Sequence, residues 1–336
     1  MTATSRFDTR VVALLVGLLG GALALALLFG TETTSLARAL SEPDSLDRLV
    51  IMKARLPRVA LAATAGAGLG VAGAALQALL RNPLAEPYLL GVSGGAALGA
   101  TLAILAGFTG TTLLGAALVP VAALGGGLLA TMLVYALARG AGSISGTEIL
   151  LSGILVNAMA SALVTFAKTL TTASRTQDLL FWLVGFLDVP APAALLAVGC
   201  YVAVGFAALW LDAGRMNLLA LGEEPAAQLG LDVPALVRRV FFACSLVVGA
   251  IVSVTGLIGF VGLIVPHAVR RLVGPDLRLV LPVCLVGGAT ILVLADLAAR
   301  ASFVWFGSEP PVGAVTALLG GPLALVLLRR STTFRA

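Results

Sequence analysis

The residues that could do chemistry are few in this sequence, and their spacing argues against catalysis. His267 is the one histidine of the chain, and Ser253 lies close to it in sequence. A hydrolase needs its nucleophile and base within hydrogen-bond reach, and one serine with one histidine in an apolar chain is a weak signal for that geometry. An intramembrane hydrolase therefore stays a minor alternative. We expect His267 to lie where a helix leaves the membrane, just before Arg270 and Arg271.

Metal, redox and nucleotide chemistry have even less support. Cys200, Cys244 and Cys284 lie in apolar segments, without the close spacings of zinc sites or redox pairs, so we expect them to pack as small apolar residues. Neither Lys53 nor Lys168 completes the glycine-rich P-loop that binds ATP. The sequence therefore predicts that this chain is not an enzyme and holds no cofactor, and that any ATP is bound by another polypeptide.

Carboxylates close to apolar segments could couple transport to an ion gradient. A carrier that works alone places such groups near the middle of the bilayer, facing the substrate path. Glu86 and Glu148 stand at the starts of apolar segments. Asp296 precedes Arg300 by four residues, a helical spacing that favours an ion pair. These positions argue against a stand-alone secondary transporter of a small solute, which we keep as the alternative function.

The elements that position these residues are apolar helices. Of the 336 residues, 60 % are hydrophobic and 11 % are charged, whereas soluble chains have about 25 % charged residues. Uninterrupted apolar runs of about 20 residues are typical of membrane-spanning helices, and the strands of a membrane barrel would alternate apolar and polar residues instead. We therefore predict an all-α, polytopic membrane protein, a single transmembrane domain over residues 1–336. About ten spans are predicted, at residues 11–30, 56–80, 88–107, 112–138, 148–170, 191–211, 235–255, 259–272 (a short one), 279–303 and 312–328.

Charge and glycine patterns refine this arrangement. With both termini in the cytoplasm, most of the 21 Lys and Arg residues lie on the cytoplasmic side of the inner membrane, as the positive-inside rule requires. A basic outer stretch at residues 38–58 is the exception. Because the basic residues are spread between apolar runs, the net charge of +5 does not indicate a nucleic-acid partner. Small residues at four-residue spacing predict close helix packing in lipid, at Gly66, Gly70, Gly91, Gly95 and Gly99.

Several polar motifs interrupt the apolar background, and together they carry a resemblance. They occupy residues 55–58, 81–87, 90–95, 219–230, 259–267, 295–300 and 309–313. In order and spacing they resemble the permease subunit of the iron-siderophore, heme and cobalamin import family of ABC transporters, over residues 11–330. The resemblance implies a type II ABC importer permease fold, in a homodimer with a central translocation path. It also implies two cytoplasmic ATP-binding cassette subunits, which bind ATP and Mg, and a substrate-binding protein that docks from outside.

The resemblance assigns a docking role to three arginines at the outer mouth. Arg55, Arg58 and Arg300 match positions that pair with glutamates of the binding protein, and such a charged rim would steer and orient that partner. Two structural roles remain open as alternatives. Arg300 could simply pair with Asp296, and Arg55 could anchor a helix end at the lipid headgroups.

The resemblance also assigns a coupling role to the segment of about 215–234. This segment matches short cytoplasmic helices that dock into the ATPase. The alternative is an ordinary amphipathic helix on the membrane surface, but such helices usually carry Lys and Arg on the polar face, and this one is acidic. The predicted contacts to the ATPase are Leu221, Gly222, Glu223, Glu224, Ala226, Ala227, Leu229 and Gly230.

The implied cytoplasmic gate has two halves. Asn82 and Leu84 match the half that lies in the R-N-P-L-A motif. The other half, between the fourth and fifth spans, maps to Ser145 and Thr147. In this half the sequence departs from the family pattern, because Gly146 stands where the family often has a hydroxyl residue.

A mildly polar stripe on the fifth span is the candidate translocation path. Asn157, Ser161 and Thr165 follow one another at four-residue steps, and they could line the path or bond neighbouring helices. A path without His or Cys clusters favours a bulky metal chelate over free metal ions, which such ligands would trap. A ferric siderophore is ranked first as substrate, with heme or cobalamin as the other candidates.

Overall fold

The structure, a computed structural model, describes residues 9–31, 34–42, 44–108, 113–140 and 146–333, which form a bundle of helices. The long helices follow one another along the chain, and we number them α1 to α10 in that order. Their bounds are Thr9–Leu28 (α1), Leu46–Leu79 (α2), Val92–Leu105 (α3), Leu113–Gly140 (α4), Gly146–Thr169 (α5), Pro192–Leu211 (α6), Val233–Thr255 (α7), Val261–Val273 (α8), Leu277–Ala301 (α9) and Val312–Thr333 (α10).

These helices coincide with the predicted spans, so the all-α polytopic fold is confirmed. Among the described residues, six helices are long and apolar enough to cross a membrane, and they lie in α2, α4, α5, α6, α7 and α9. The apolar parts of α1, α3 and α10 are shorter, and α8, at 13 residues, is the short eighth span. One amphipathic helix that was not predicted, Ala173–Val184, connects α5 to α6.

The helix α2 is the centre of the bundle, and its small residues explain why. In α2, 83 % of the most apolar stretch is buried inside the protein, against 22 % in the peripheral α6. A Cβ added at Gly66 would lie 2.2 Å from the carbonyl oxygen of Gly288, and one at Gly70 would lie 2.6 Å from that of Cys284. The backbones of α2 and α9 therefore touch without side chains between them, as small residues allow in lipid.

The helices α3 and α4 repeat this arrangement. A Cβ at Gly95 would lie 2.3 Å from the carbonyl oxygen of Gly126, and one at Gly99 would lie 2.1 Å from that of Ala122. The predicted close packing is thus confirmed at four of the five glycines. Gly91 has a different role, because its φ of +85° forms the left-handed turn that starts α3.

We expect Gly66→Ala to destabilise the protein by about 1–3 kcal/mol, because the added methyl group overpacks a backbone contact. The matched control is Gly21→Ala in α1, where an added Cβ has nothing within 4 Å and alanine has the higher helix propensity. Unfolding of both purified variants by SDS titration measures the difference. Equal stability of the two variants would contradict the close contact of α2 with α9.

Candidate docking, gating and coupling sites

A buried ion cluster joins α2, α9 and the chain before α10. Asp296 is fully buried, and its carboxylate accepts hydrogen bonds from Nε of Arg300 and Nε of Arg58, each at 2.9 Å. The predicted pairing of Asp296 with Arg300 is therefore confirmed. Arg58 also forms an ion pair with Glu309, with 2.9 Å between Nη2 and Oε2. Two guanidinium groups and two carboxylates thus form one cluster, which is largely buried.

The end of α1 is held by Arg300 of this cluster and by the neighbouring Arg55. Arg55 lies in a π-helical turn of α2 at Val50–Arg55, and its guanidinium donates to the carbonyl oxygens of Leu27 and Leu28. Arg300 donates to the carbonyl oxygen of Ala26 at 3.0 Å. The last carbonyl groups of a helix lack partners within the helix, and the positive charges also suit the negative end of the helix dipole. The arginines therefore satisfy the end of α1.

The three predicted docking arginines meet in one pocket of about 230 Å³, together with Glu309. Their accessibility differs, since the side chain of Arg58 is 13 % exposed and that of Arg300 is 4 % exposed. The guanidinium of Arg58 also lies over the ring of Phe186, 5.7 Å from its centroid. The predicted residues are thus together, but each has partners within the chain, and their docking role stays a prediction.

Two short helices, Ala213–Leu219 and Glu223–Gln228, form the predicted coupling segment between α6 and α7. Gly222 and Gly230 bracket the second helix with φ of +117° and +85°, a conformation that glycine adopts without steric cost. Ala226 is buried against the bundle, whereas Leu221 and Leu229 are 62 % and 63 % exposed. The exposed residues of the segment also include Glu224 and Ala227. It therefore presents apolar and acidic groups outward.

The coupling segment is tied to the R-N-P-L-A motif by an ion pair. Nη2 of Arg81 lies 3.0 Å from Oε1 of Glu223. Arg81 adopts a positive φ of 48°, which is uncommon for a residue with a side chain. The pair joins residues that are 142 positions apart in the sequence, and the sequence gives no local signal for it.

The gate residues lie beside this ion pair. The side-chain oxygen of Asn82 accepts a hydrogen bond of 2.9 Å from the backbone N–H of Leu84, which makes a tight turn after α2. At Gly146, an added Cβ would lie 3.3 Å from the Cα of Leu80, so the start of α5 touches the same turn. Thr147 is exposed there, and Ser145 lies outside the described residues.

The path residues on α5 divide into two kinds. The amide of Asn157 is engaged, because Nδ2 donates to the carbonyl oxygen of Tyr88 at 2.8 Å and Oδ1 accepts from the N–H of Gly94 at 2.9 Å. Of the two roles left open for Asn157, the structure therefore shows bonding to neighbouring segments of the bundle. Ser161 and Thr165 are exposed on the outer face of α5, where the path assignment stays a prediction.

A polar junction that sequence reasoning missed connects two breaks between helices. The hydroxyl of Tyr88 donates to the carbonyl oxygen of Ile258 and accepts from its N–H, at 2.8 and 2.9 Å. The carboxylate of Glu86 accepts from the N–H of Phe260 at 2.6 Å. Buried backbone groups without helical partners need such bonds. The proline and glycine residues in both motifs marked the breaks, but no pattern indicated that the breaks touch.

The positions of Ser253 and His267 do not support the hydrolase alternative. The hydroxyl of Ser253 donates to the carbonyl oxygen of Ala250 in its own helix at 2.8 Å. Nε2 of His267 is buried and has no hydrogen-bond partner among the described residues. A nucleophile and its base should bond each other, and these two do not.

The bundle of α1 to α10, with a pair of short helices between α6 and α7, is the arrangement that the resemblance implied for a membrane transport permease. The chain belongs to the FecCD transport family, whose model matches residues 14–330. It is a multi-pass membrane protein and a transport permease subunit.

Named relatives agree with this membership. The chain is 43 % identical over 282 residues to the cobalamin import system permease protein BtuC of Halobacterium salinarum, covering 84 % of this chain and 74 % of that one. It is 38 % identical over 283 residues to the hemin transport system permease protein HmuU of Yersinia pestis, covering 84 % of each. A solved structure, described as an inward-facing conformation of a metal-chelate type ABC transporter, matches with a TM-score of 0.82 and 32 % identity, over 96 % of this chain and 99 % of the other.

Proposed function

We propose that this chain is the transmembrane subunit of an ATP-driven importer that moves a metal chelate across the cytoplasmic membrane. It works as a homodimer with two separate ATPase subunits and an extracytoplasmic substrate-binding protein. The observation that carries the proposal is the pair of short helices between α6 and α7, whose exposed leucines and acidic first turn fit a partner surface. Both termini and this segment lie on the cytoplasmic side, and the arginine cluster lies outside.

The contacts of the coupling segment support a route for movement within the chain. A shift of Glu223–Gln228 pulls on Arg81 through the ion pair, and Arg81 is followed directly by the turn of Asn82 and Leu84. The same connection leads on to Tyr88, which Asn157 binds from α5. ATP binding in the partner can therefore move the gate and the path-lining helix together.

The exposed face of α5 supports a path between two copies of the chain. Of its most apolar stretch, 28 % is buried, and Leu155 and Met159 are both 62 % exposed. Ser161 and Thr165 add hydroxyl groups to this face. A neutral, weakly polar surface holds a bulky chelate by shape, whereas strong metal ligands would strip the metal from it.

The substrate is a corrinoid or porphyrin chelate in this proposal, ahead of the ferric siderophore that the resemblance ranked first. The support is the identity of 43 % to a cobalamin permease and of 38 % to a hemin permease. The test is ATP-dependent uptake of cobalamin, hemin and a ferric siderophore into vesicles that contain the chain with its ATPase and binding protein. Uptake driven by a proton or sodium gradient without ATP would instead support the secondary transporter.

For the docking site, we expect Arg58→Gln to lower the stimulation of ATP hydrolysis by the binding protein several-fold, with basal hydrolysis retained. Arg58 is the most exposed arginine of the ion cluster on Asp296, and a charged rim orients a charged partner. The control is Arg38→Gln, which removes a largely exposed arginine from the same outer stretch. Normal stimulation in a folded Arg58→Gln protein would show that Arg58 has no docking role and serves only as a structural partner of Asp296.

A further inference from the structure

A groove at the end of α6 borders the predicted coupling segment, but none of the predicted ATPase contacts and none of the gate residues line it. It consists of two adjoining pockets that share Leu211 and Arg215. The larger, of about 590 Å³, is lined by Trp210, Leu211, Gly214, Arg215, Leu218 and Arg278. The smaller, of about 400 Å³, reaches Asp212 and Arg239. The groove lies where a peripheral, apolar helix passes into the polar segment that follows it.

The charge of this groove is positive. Asp212 accepts hydrogen bonds from Nη1 of Arg215 at 2.6 Å and from Nε of Arg239 at 2.8 Å. Burial would raise the pKa of the Asp212 carboxyl, but the two arginines outweigh burial and hold its pKa below the ordinary value. Among the residues that line this pocket, one ionised carboxylate therefore faces two guanidinium groups, and one positive charge is left over. Asp232 also acts on Arg239, from outside the lining.

Arg278 adds a second positive charge to the groove. Its side chain has no ion pair among the described residues, and its guanidinium lies against Gly214, where an added Cβ would be 2.7 Å from Nη2. The nearby carboxylate of Asp276 is engaged elsewhere, because it accepts from Nδ2 of Asn217 and caps α9 through the backbone N–H of Arg278. The Arg278 guanidinium is therefore open to an anion.

The rest of the groove is apolar and faces outward. Trp210 is 48 % exposed and Leu211 is 74 % exposed. The indole N–H of Trp210 donates to the carbonyl oxygen of Arg278 at 3.3 Å, which joins the apolar wall to the cationic one. Tryptophan prefers the interface between lipid and water, and arginine binds phosphate through several N–H donors at once. An anion with a long apolar tail matches both walls.

We propose that this groove binds an anionic phospholipid, whose phosphate contacts Arg278 and Arg215 while an acyl chain lies along Leu211 and Trp210. Basic pockets at the edge of a membrane bundle suit such headgroups. The site is distinct from the translocation path and does not depend on the substrate of the importer. Bound lipid would fasten α6, the helix Ala213–Leu219 and the start of α9 to one another.

Fluorescence of Trp210 tests the site. The full chain carrying Trp182→Phe and Trp305→Phe keeps Trp210 as its one tryptophan and is reconstituted into phosphatidylcholine vesicles. We expect a small fraction of brominated phosphatidylglycerol to quench Trp210 at least twofold more than the same fraction of brominated phosphatidylcholine. Arg278→Gln should remove this excess. Arg238→Gln, which removes the same charge from an exposed position on α7, should retain it.

Three results would overturn the proposal: equal quenching by both brominated lipids, a preference that survives in Arg278→Gln, and a preference that inorganic phosphate abolishes. The last result would make the groove a site for free phosphate. If Arg278→Gln does not fold, Arg215→Gln replaces it, with the same expected loss of preference. The Trp210 emission maximum in pure phosphatidylcholine reports whether each variant keeps the wall of the groove intact.

Discussion

Replacing Asp296 with asparagine is expected to lower the free energy of unfolding by about 3–5 kcal/mol, the range for removing one partner of a buried ion pair. Arg300 would then be buried beside a neutral amide, because its side chain is 4 % exposed and Nε binds this carboxylate. Arg58 would keep Glu309 as its one carboxylate partner. Since Arg300 and Arg55 also hold the end of α1, we expect that helix to loosen first.

SDS titration of the purified variants measures this loss. Asp296→Glu keeps the charge and should lose less stability than Asp296→Asn. Asp47→Asn is the matched control for a surface pair, because Arg38 and Asp47 approach to 3.6 Å with Arg38 69 % exposed, and such pairs contribute little. If Asp296→Asn and Asp47→Asn unfold alike, the cluster does not stabilise the bundle.

The helices of the fold could be predicted because their cause is local. Apolar runs of sufficient length must satisfy their backbone groups internally in lipid, and the runs in this sequence are separated by charged residues, prolines and glycines. Small residues at four-residue steps likewise mark a surface that accepts a neighbouring backbone. The sequence predicted that Gly66 packs closely. It could not predict Gly288 as the partner, because that contact depends on how α9 returns to α2.

The contacts within the candidate sites could be predicted only where the two interacting residues are close in sequence. The pair of Asp296 with Arg300 follows from their spacing on one helix. Arg58 binds the same carboxylate from 238 residues away, and no periodicity connects positions so far apart. The same limit applies to Asn157. Its spacing on α5 indicated a polar stripe, but its bond to Tyr88 exists because the break between α2 and α3 lies against α5.

Reversing the two charges of the coupling helix, with Glu223→Lys and Glu224→Lys, is expected to uncouple ATP hydrolysis from uptake. Coupling between distant sites typically amounts to 1–3 kcal/mol, so ATP-driven uptake should fall by roughly tenfold. The fold should be retained, because the side chain of Glu223 is 41 % exposed and Glu224 is exposed. The two carboxylates lie in the first turn of the helix, where the helix dipole favours negative charge.

Reconstituted vesicles with the ATPase subunits measure both quantities on one sample. Glu42→Lys is the control, since it makes the same charge reversal at an exposed position outside the coupling segment and should leave uptake near the wild-type rate. Unchanged uptake in the double variant would remove the coupling role from this segment.

The ion pair of Arg81 with Glu223 allows a sharper version of this experiment. Arg81→Glu alone places two carboxylates together and should lower uptake. The double variant Arg81→Glu, Glu223→Arg exchanges the two charges and restores their attraction, so it should recover most of the lost uptake. The side chains are 46 % and 41 % exposed, so the pair adds little to stability, and a loss of uptake would report transmission to the gate. If the exchanged protein remains as impaired as Arg81→Glu, the gate does not receive its movement through this pair.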